Sequence, residues 1–176
     1  MTASESSTGT DAPRVVVSVG TDHHRFDRLI DWIDRWCDDH PDVAVLVQRG
    51  TSRAPRTARS FEMLDYDTLT EAMASADAVV VQGGPAGIAD ARSNGRLPIV
   101  VPRRPDLGEH VDGHQVTFTR WMSQRGQVAL AEDESTLSAL LDEALTDPNR
   151  FAVTDPTGAS PAVEAFAAEV NPLIGR

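Results

Sequence analysis

The sequence predicts an α/β fold: a doubly wound (Rossmann-like), mostly parallel sheet with helices on both faces. Short apolar runs rich in valine alternate along the chain with amphipathic segments of helical periodicity. Strands that read as unbroken apolar runs are typical of parallel sheets that are buried on both sides. The 176 residues, of which 40% are hydrophobic, suffice for one such domain with its own core.

The first half of the chain is predicted to hold three strands and two helices. The strands cover residues 15–19, 43–47 and 61–64, and the helices cover residues 25–39 and 68–75. The first helix has apolar side chains at helical spacing with aspartates between them, so it is amphipathic. Its apolar residues are Phe26, Leu29, Ile30, Ile33 and Trp36. Asp67 is expected to cap the second helix.

The second half continues the alternation. Strands are predicted at residues 78–81, 99–101 and 128–130, and helices at residues 83–94, 112–125 and 134–145. The domain is expected to span residues 14–146. A disordered tail at 1–13 would precede it, and a tail at 147–176 with a short helix near 162–170 would follow it.

Composition excludes several classes of protein. The formal net charge is −11, which argues against general binding to nucleic acid and against adhesion to anionic lipid. The single cysteine, Cys37, allows no internal disulfide and fits a reducing compartment. No apolar run is long enough to span a bilayer, and the polar N-terminus lacks the basic start of a signal peptide. We therefore expect a cytoplasmic protein.

Four polar loops follow predicted strands, at residues 20–25, 48–53, 82–87 and 102–115. The carboxyl ends of parallel strands meet at one edge of a sheet, and ligands of doubly wound folds bind there. The four loops are therefore expected to converge on one rim of the domain.

The glycine-rich turn GGPAG at 83–87 lies between a predicted strand and a predicted helix. Glycine lets the backbone approach a ligand closely, and a helix N-terminus offers free N–H groups to a phosphate. The spacing is neither GxGxxG nor a P-loop, so a dinucleotide oxidoreductase and a P-loop ATPase are not supported. A diphosphate site and a purely structural turn both remain open on this pattern alone.

A charged loop follows the strand at 99–101, and its polar residues are Arg103, Arg104, Glu109, His110, His114 and Gln115. His110 and His114 stand four residues apart beside Asp112, which suggests a metal site. The pattern is not HExxH, and Gly113 interrupts a regular helix. Hydrogen bonding to a sugar or a phosphate is the favoured role of this loop, and helix capping is the structural alternative.

These stretches together resemble the C-terminal, donor-binding domain of family 28 glycosyltransferases. The resemblance covers about residues 14–146 and is carried by VVVSVGT at 15–21, QRG at 48–50 and GGPAGIADARSNGRLPIVVPRRPDLGEHVDGHQ at 83–115. The last stretch is similar to small exopolysaccharide glycosyltransferase subunits, whose loop reads PR-x4-GEHVD-x-HQ. Those subunits are similar in turn to the catalytic subunit of the two-subunit dolichol-linked N-acetylglucosaminyltransferase.

The resemblance implies a single GT-B half-domain that binds a UDP-sugar, with no cofactor and no metal. By position, Gly20 and Thr21 would face the reaction cleft, and Asp90 would bind the ribose hydroxyls where the family often has glutamate. Gln82 stands before the glycine turn, where the family often has His or Ser-Arg. The glycines expected to present N–H groups to the diphosphate are Gly83, Gly84 and Gly87. The residues expected to contact the diphosphate or the donor sugar are Arg103, Glu109, His114 and Gln115.

A complete GT-B enzyme has two domains of about this size. The resemblance therefore implies a membrane-anchored partner subunit that supplies the acceptor site and the general base. The chain itself would be the catalytic subunit of an inverting, metal-independent glycosyltransferase. Its acceptor would be a lipid or a polysaccharide, and the partner would hold it at the inner face of the membrane.

Three alternatives stay open. A non-catalytic nucleotide-binding or regulatory module would keep the fold without the activity. A metal-dependent hydrolase would use His110, His114 and Asp112. A sugar-nucleotide epimerase would share the architecture, although it normally has both domains in one chain.

Overall fold

The structure is a computed structural model that describes residues 12–154. Six strands form one sheet in that range: β1 (Val15–Ser18), β2 (Val45–Gln48), β3 (Arg59–Phe61), β4 (Ala78–Gln82), β5 (Ile99–Val101) and β6 (Ala129–Leu130). Every neighbouring pair is parallel, which confirms the predicted doubly wound sheet. Residues 1–11 of the tail predicted at 1–13, and the helix predicted near 162–170, lie outside the described residues.

The strand order across the sheet is β3-β2-β1-β4-β5-β6. Strands β1, β2 and β3 follow one another from the centre of the sheet to one edge. The chain then returns to the centre, where β4 pairs with β1, and β5 and β6 extend the sheet to the other edge. This reversal places a switch point between the carboxyl ends of β1 and β4. Ligands of doubly wound sheets bind at such a point, because the two connecting segments there leave in opposite directions.

Five helices cover the sheet within residues 12–154: α1 (Asp27–Asp39), α2 (Tyr66–Ser75), α3 (Pro85–Ser93), α4 (His114–Gln124) and α5 (Glu134–Thr146). Short 3-10 helices lie at Pro105–Leu107 and Pro148–Phe151. No helix in this range has the length and apolarity needed to cross a lipid bilayer.

The sheet separates two apolar cores, because successive side chains of a strand point to opposite faces. Val15 and Val17 of β1 pack with α1 and α5 on one face, whereas Val16 packs with α2, α3 and α4 on the other. All three valines are fully buried. Phe151 joins the first core, so the beginning of the predicted C-terminal tail packs against the domain.

Two predicted elements differ in position from the structure. The third strand was expected at 61–64 but forms at Arg59–Phe61, because its backbone pairs in register with β2. Leu64 instead packs against the second core, and its N–H donates to Gln48 Oε1. Helix α2 is capped by Asp65 rather than Asp67, since the Asp65 carboxylate accepts the N–H of Thr68 at 2.9 Å.

Candidate functional site

A cleft of about 220 Å³ opens at the switch point between β1 and β4. Its polar edge comes from the ends of β1, β2 and β4 and from the first turns of α3. Its apolar floor comes from α2 and the loop before it. The lining residues are Ser18, Gly20, Thr21, Gln48, Met63, Leu64, Tyr66, Leu69, Met73, Val81, Gln82, Ala86, Gly87 and Asp90. Five predicted site residues therefore meet here: Gly20, Thr21, Gln82, Gly87 and Asp90.

Two larger hollows lie elsewhere on the domain. One, of about 430 Å³, lies beside Cys37 and His40 at the opposite end of the sheet, and the other, of about 580 Å³, lies between Arg104 and α4. The pKa of the Cys37 thiol is raised to about 11 by burial and by the charges of Asp34 and Asp38, so the thiol is unreactive. We assign the site to the smaller cleft because it occupies the switch point and contains the helix N-terminus.

Gln82 ends β4 and its side chain fills the space beside two glycines. A Cβ atom on Gly84 would stand 2.4 Å from Gln82 Nε2, and one on Gly20 would stand 2.7 Å from the same atom. Gly20 also has a φ of +78°, which other residues rarely adopt. The backbone conformation therefore favours glycine at position 20, and a side chain at position 84 would force the Gln82 amide to move.

The Gln82 amide is held in one orientation by two donors. Its Oε1 accepts from Gln115 Nε2 at 2.6 Å and from Arg103 Nε at 3.2 Å. Gln115 Oε1 in turn accepts the Arg103 N–H at 3.1 Å. Because the oxygen is committed to these donors, the NH₂ end of the amide faces Gly20 and Gly84. It can donate to a ligand at the N-terminus of α3.

Gly83 and Gly87 have different surroundings. A Cβ atom on Gly83 would stand 2.8 Å from Thr119 Cγ2, so this glycine allows α4 to approach β4. Gly87 lies in the first turn of α3, where a Cβ atom would meet only ordinary contacts with Val81. The N–H groups of Ala86 and Gly87 have no partner within the helix, since they lie in its first turn, and Pro85 offers no N–H. Two backbone donors therefore remain for an anion.

Arg103 is fully buried and does not line the cleft. Its guanidinium donates to the carbonyl oxygens of Val19, His24 and Glu109 at 2.8, 2.8 and 3.0 Å. Burial lowers the pKa of the guanidinium, and the charges of nearby carboxylates oppose that shift. The guanidinium thus joins the loops after β1 and β5. The direct contact of Arg103 with a diphosphate stays a prediction.

Glu109 is also turned inward. It is 4% exposed, its carboxylate forms two hydrogen bonds of 2.8 Å with the guanidinium of Arg28, and it accepts the Arg104 N–H. Glu109 therefore does not line the cleft, and its contact with a donor sugar stays a prediction. The carboxylate fixes the charged loop to α1.

A row of imidazoles and carboxylates lies along the rim beside Gly20. Asp22 Oδ1 accepts from His24 Nδ1 at 2.6 Å, Asp22 Oδ2 is 3.5 Å from His110 Nε2, and Asp112 Oδ1 is 2.9 Å from His114 Nδ1. Burial would raise the pKa of Asp22, but hydrogen bonds from His24 and the charge of Arg103 lower it. The backbone N–H and imidazole of His114 lower the pKa of Asp112.

The donors proposed for a hydrolase do not form a compact metal-binding group within residues 12–154. In that range the group with closely spaced donor atoms is Asp22, His23 and His24, whose atoms lie within 4.8 Å of one another. His114 stands at the start of α4 with its imidazole more than half exposed at the rim. His110 Nδ1 and His114 Nδ1 lie 3.5 and 2.9 Å from Asp112 Oδ1, which places both imidazoles beside this carboxylate.

Asp90 faces the cleft from α3, and its Oδ1 accepts the hydroxyl of Tyr66 at 3.2 Å. Tyr66 was not among the predicted site residues. Neither were Met63 and Leu64, which belong to the loop after β3. The rule that ligands meet the carboxyl ends of parallel strands includes this loop, but the misplaced third strand concealed it.

The sequence and the fold were compared with those of known proteins. The profile of the family described as "Glycosyltransferase family 28 C-terminal domain" matches residues 14–168. The fold is similar to the glycotransferase of kitacinnamycin (TM-score 0.56, 16% identity) and to MurG of Acinetobacter baumannii (TM-score 0.55, 15% identity). These matches cover 93% and 86% of this chain but only 43% and 45% of the other chains. The fold is therefore one GT-B half-domain. No curated protein matches the sequence.

Proposed function

The chain belongs to the family of glycosyltransferase family 28 C-terminal domains, and from that membership we propose that it is the UDP-sugar-binding, catalytic subunit of a two-component inverting glycosyltransferase. The observation that carries the proposal is the cleft at the switch point. It combines an acidic residue, an apolar floor and a helix N-terminus within one cleft.

Each part of a nucleotide-sugar has a suitable neighbour in the cleft. The base lies against the apolar floor near Leu69 and Met73, and the ribose hydroxyls donate to Asp90. The diphosphate accepts from the N–H groups of Ala86 and Gly87 and from the Gln82 amide. The donor sugar then extends toward Gly20, Thr21 and the imidazole rim.

The leaving UDP is stabilised without a metal in this proposal. Negative charge develops on the diphosphate as the sugar departs, and the positive end of the α3 dipole points at it. The Gln82 amide adds a fixed donor at the same place. Arg103 does not line the cleft, but its hydrogen bonds hold the Gln82 side chain and the carbonyl groups of the neighbouring loops in position.

A second polypeptide completes the enzyme in this proposal. The matched region covers less than half of each solved relative. We assign the acceptor site, the membrane anchor and the general base to a partner subunit. The acceptor is lipid-linked or a polysaccharide, and the complex works at the cytoplasmic face of the membrane.

Calorimetric titration of the purified chain tests the binding step. UDP and UDP-sugars are expected to bind, whereas ADP binds much more weakly. Asp90→Asn is expected to weaken UDP binding about tenfold or more, since it removes a charged acceptor. Asp42→Asn changes an exposed aspartate far from the cleft and serves as the matched control. Failure of the wild-type chain to bind any uridine nucleotide would contradict the proposal.

The alternative of a non-catalytic nucleotide-binding module draws support from one observation. Glu109 and Arg103 are both committed to contacts within the protein, so neither reaches a donor sugar. Transfer assays on the chain with its partner decide between the two functions. Turnover that falls when Gln82 is replaced by alanine supports the enzyme, and UDP binding without any turnover supports the module.

A further inference from the structure

Tyr66 stands at the mouth of the cleft, where it is the first residue of α2. Its side chain is 63% exposed, yet its hydroxyl is fixed by a hydrogen bond to Asp90 Oδ1 at 3.2 Å. The bond joins α2 to α3 across the opening of the cleft. An exposed aromatic ring held at a ligand-sized opening is placed to touch whatever enters.

The Asp90 carboxylate has hydrogen-bond acceptor sites that no residue of the described range occupies. Within residues 12–154, the Asp90 carboxylate accepts one hydrogen bond, from the hydroxyl of Tyr66. No arginine or histidine of that range forms an ion pair with it. A carboxylate has about four lone-pair sites, and a single neutral donor occupies one of them. The free oxygen therefore remains available to the hydroxyl groups of a ligand.

The phenol stays in its donor form beside this carboxylate. The negative charge of Asp90 and the hydrogen bond between the two groups raise the pKa of Tyr66. A protonated phenol restricts the rotation of the Asp90 side chain without neutralising its charge. Restricting a binding group before the ligand arrives reduces the entropy lost on binding.

We propose that Tyr66 is a positioning residue for nucleoside recognition, whose hydroxyl holds the Asp90 carboxylate where it accepts from the ribose hydroxyls. The inference rests on the proposed function and assigns a further residue to the same site. Tyr66 thereby controls how well the cleft distinguishes a ribose from a sugar that lacks both hydroxyls. The ring of Tyr66 forms the wall of the opening next to Met63.

Tyr66→Phe isolates the hydroxyl, because it keeps the ring. Calorimetry with UDP and with 2′,3′-dideoxy-UDP measures the discrimination directly. The variant is expected to lose about three- to tenfold in affinity for UDP and little for the dideoxy analogue. Asp90→Asn is expected to abolish the discrimination, and adding Tyr66→Phe to it should then change nothing further.

Tyr66 is also the one tyrosine of the chain, so its ionisation can be read from tyrosinate absorbance. The pKa of the phenol is expected to fall toward its ordinary value in Asp90→Asn. A Tyr66→Phe variant with the wild-type ratio of the two affinities would overturn the inference while leaving the proposed function intact. A wild-type chain that binds no UDP would instead overturn the proposed function, and the inference with it.

Discussion

At the scale of single residues, buried polar side chains organise the cleft. Arg103, Glu109 and Gln115 have at most 8% of their surface exposed. Arg103 bonds to the loop after β1, Glu109 bonds to helix α1, and Gln115 bonds to the end of β4. Burying such groups is costly unless every one has partners. These contacts explain the three residue types, although none of the three side chains lines the cleft.

Replacing Arg103 by methionine tests this organising role. The change removes the donors to Val19, His24 and Glu109 and leaves buried acceptors unsatisfied. We expect a loss of about 3 kcal/mol in the free energy of unfolding, measured by urea denaturation. Arg104→Met is the matched control, because Arg104 is exposed and pairs at the surface with Asp106. Equal losses in the two variants would contradict the role of Arg103.

Gly84→Ala tests whether the position of the Gln82 amide matters for UDP binding. The added Cβ atom would overlap Gln82 Nε2, so the NH₂ end of the amide must move from its present position at the N-terminus of α3. We expect UDP affinity to fall about tenfold or more. Gly113→Ala is the control, since nothing lies within 4 Å of its Cβ position and its φ is −92°. The idea fails if both variants bind UDP as the wild type does.

At the scale of elements, the strands were the most predictable part of the chain. Runs such as Val15–Ser18 and Ala78–Gln82 are buried on both faces, so continuous apolar sequence marks them directly. The edge strand Arg59–Phe61 is largely exposed, and its position is set by backbone pairing with β2, which leaves no pattern in the side chains. The candidate site was predictable to a similar extent. Gly20, Gly87 and Asp90, which line the cleft, were assigned from the family resemblance. The inward orientation of Glu109 was not predictable, because it depends on Arg28, 81 residues away.

Helix α1 shows a similar limit of sequence reasoning. The sequence predicts an amphipathic helix with aspartates between its apolar residues, but Asp34 is buried and accepts the N–H of Arg56. Asp27 likewise accepts the N–H of Arg53. The acidic side of the helix therefore holds the loop between β2 and β3 against the domain.

The rim carboxylates make the stability of the charged loops depend on pH. The pKa of Asp22 and that of Asp112 are below the ordinary value of 3.8 in the folded protein. Their contribution is therefore complete above that value and is lost as the pH falls through the lowered pKa values. We expect the free energy of unfolding to decline below about pH 4, and to decline less in Asp22→Asn. Asp42→Asn should keep the wild-type profile, and a steeper decline in Asp22→Asn would contradict the assignment.

At the scale of the whole molecule, residues 12–154 form one sheet between two apolar cores, with a cleft at the switch point. The matched regions cover 43% and 45% of the two solved relatives. Under the two-component proposal, binding of the nucleotide-sugar and transfer of the sugar are expected to be separable properties of this protein.

The separation can be measured with the purified chain. We expect it to bind UDP-sugars by calorimetry but to release sugar to a lipid-linked acceptor only when a partner subunit is added. Product formation is followed by the appearance of UDP and of glycosylated lipid. Rapid transfer by the isolated chain would contradict the two-component proposal, and so would an added partner that leaves transfer unchanged.

The two edges of the sheet also constrain how any protein attaches to this domain. The edge strands β3 and β6 have only three and two residues, and β3 presents the charged side chain of Arg59. Short, charged edges disfavour the addition of a foreign strand, which is a common route to aggregation. Under the two-component proposal, association through the loops at the strand ends is therefore favoured over extension of the sheet, and a complex formed that way would dissociate without exchange of backbone hydrogen bonds between strands.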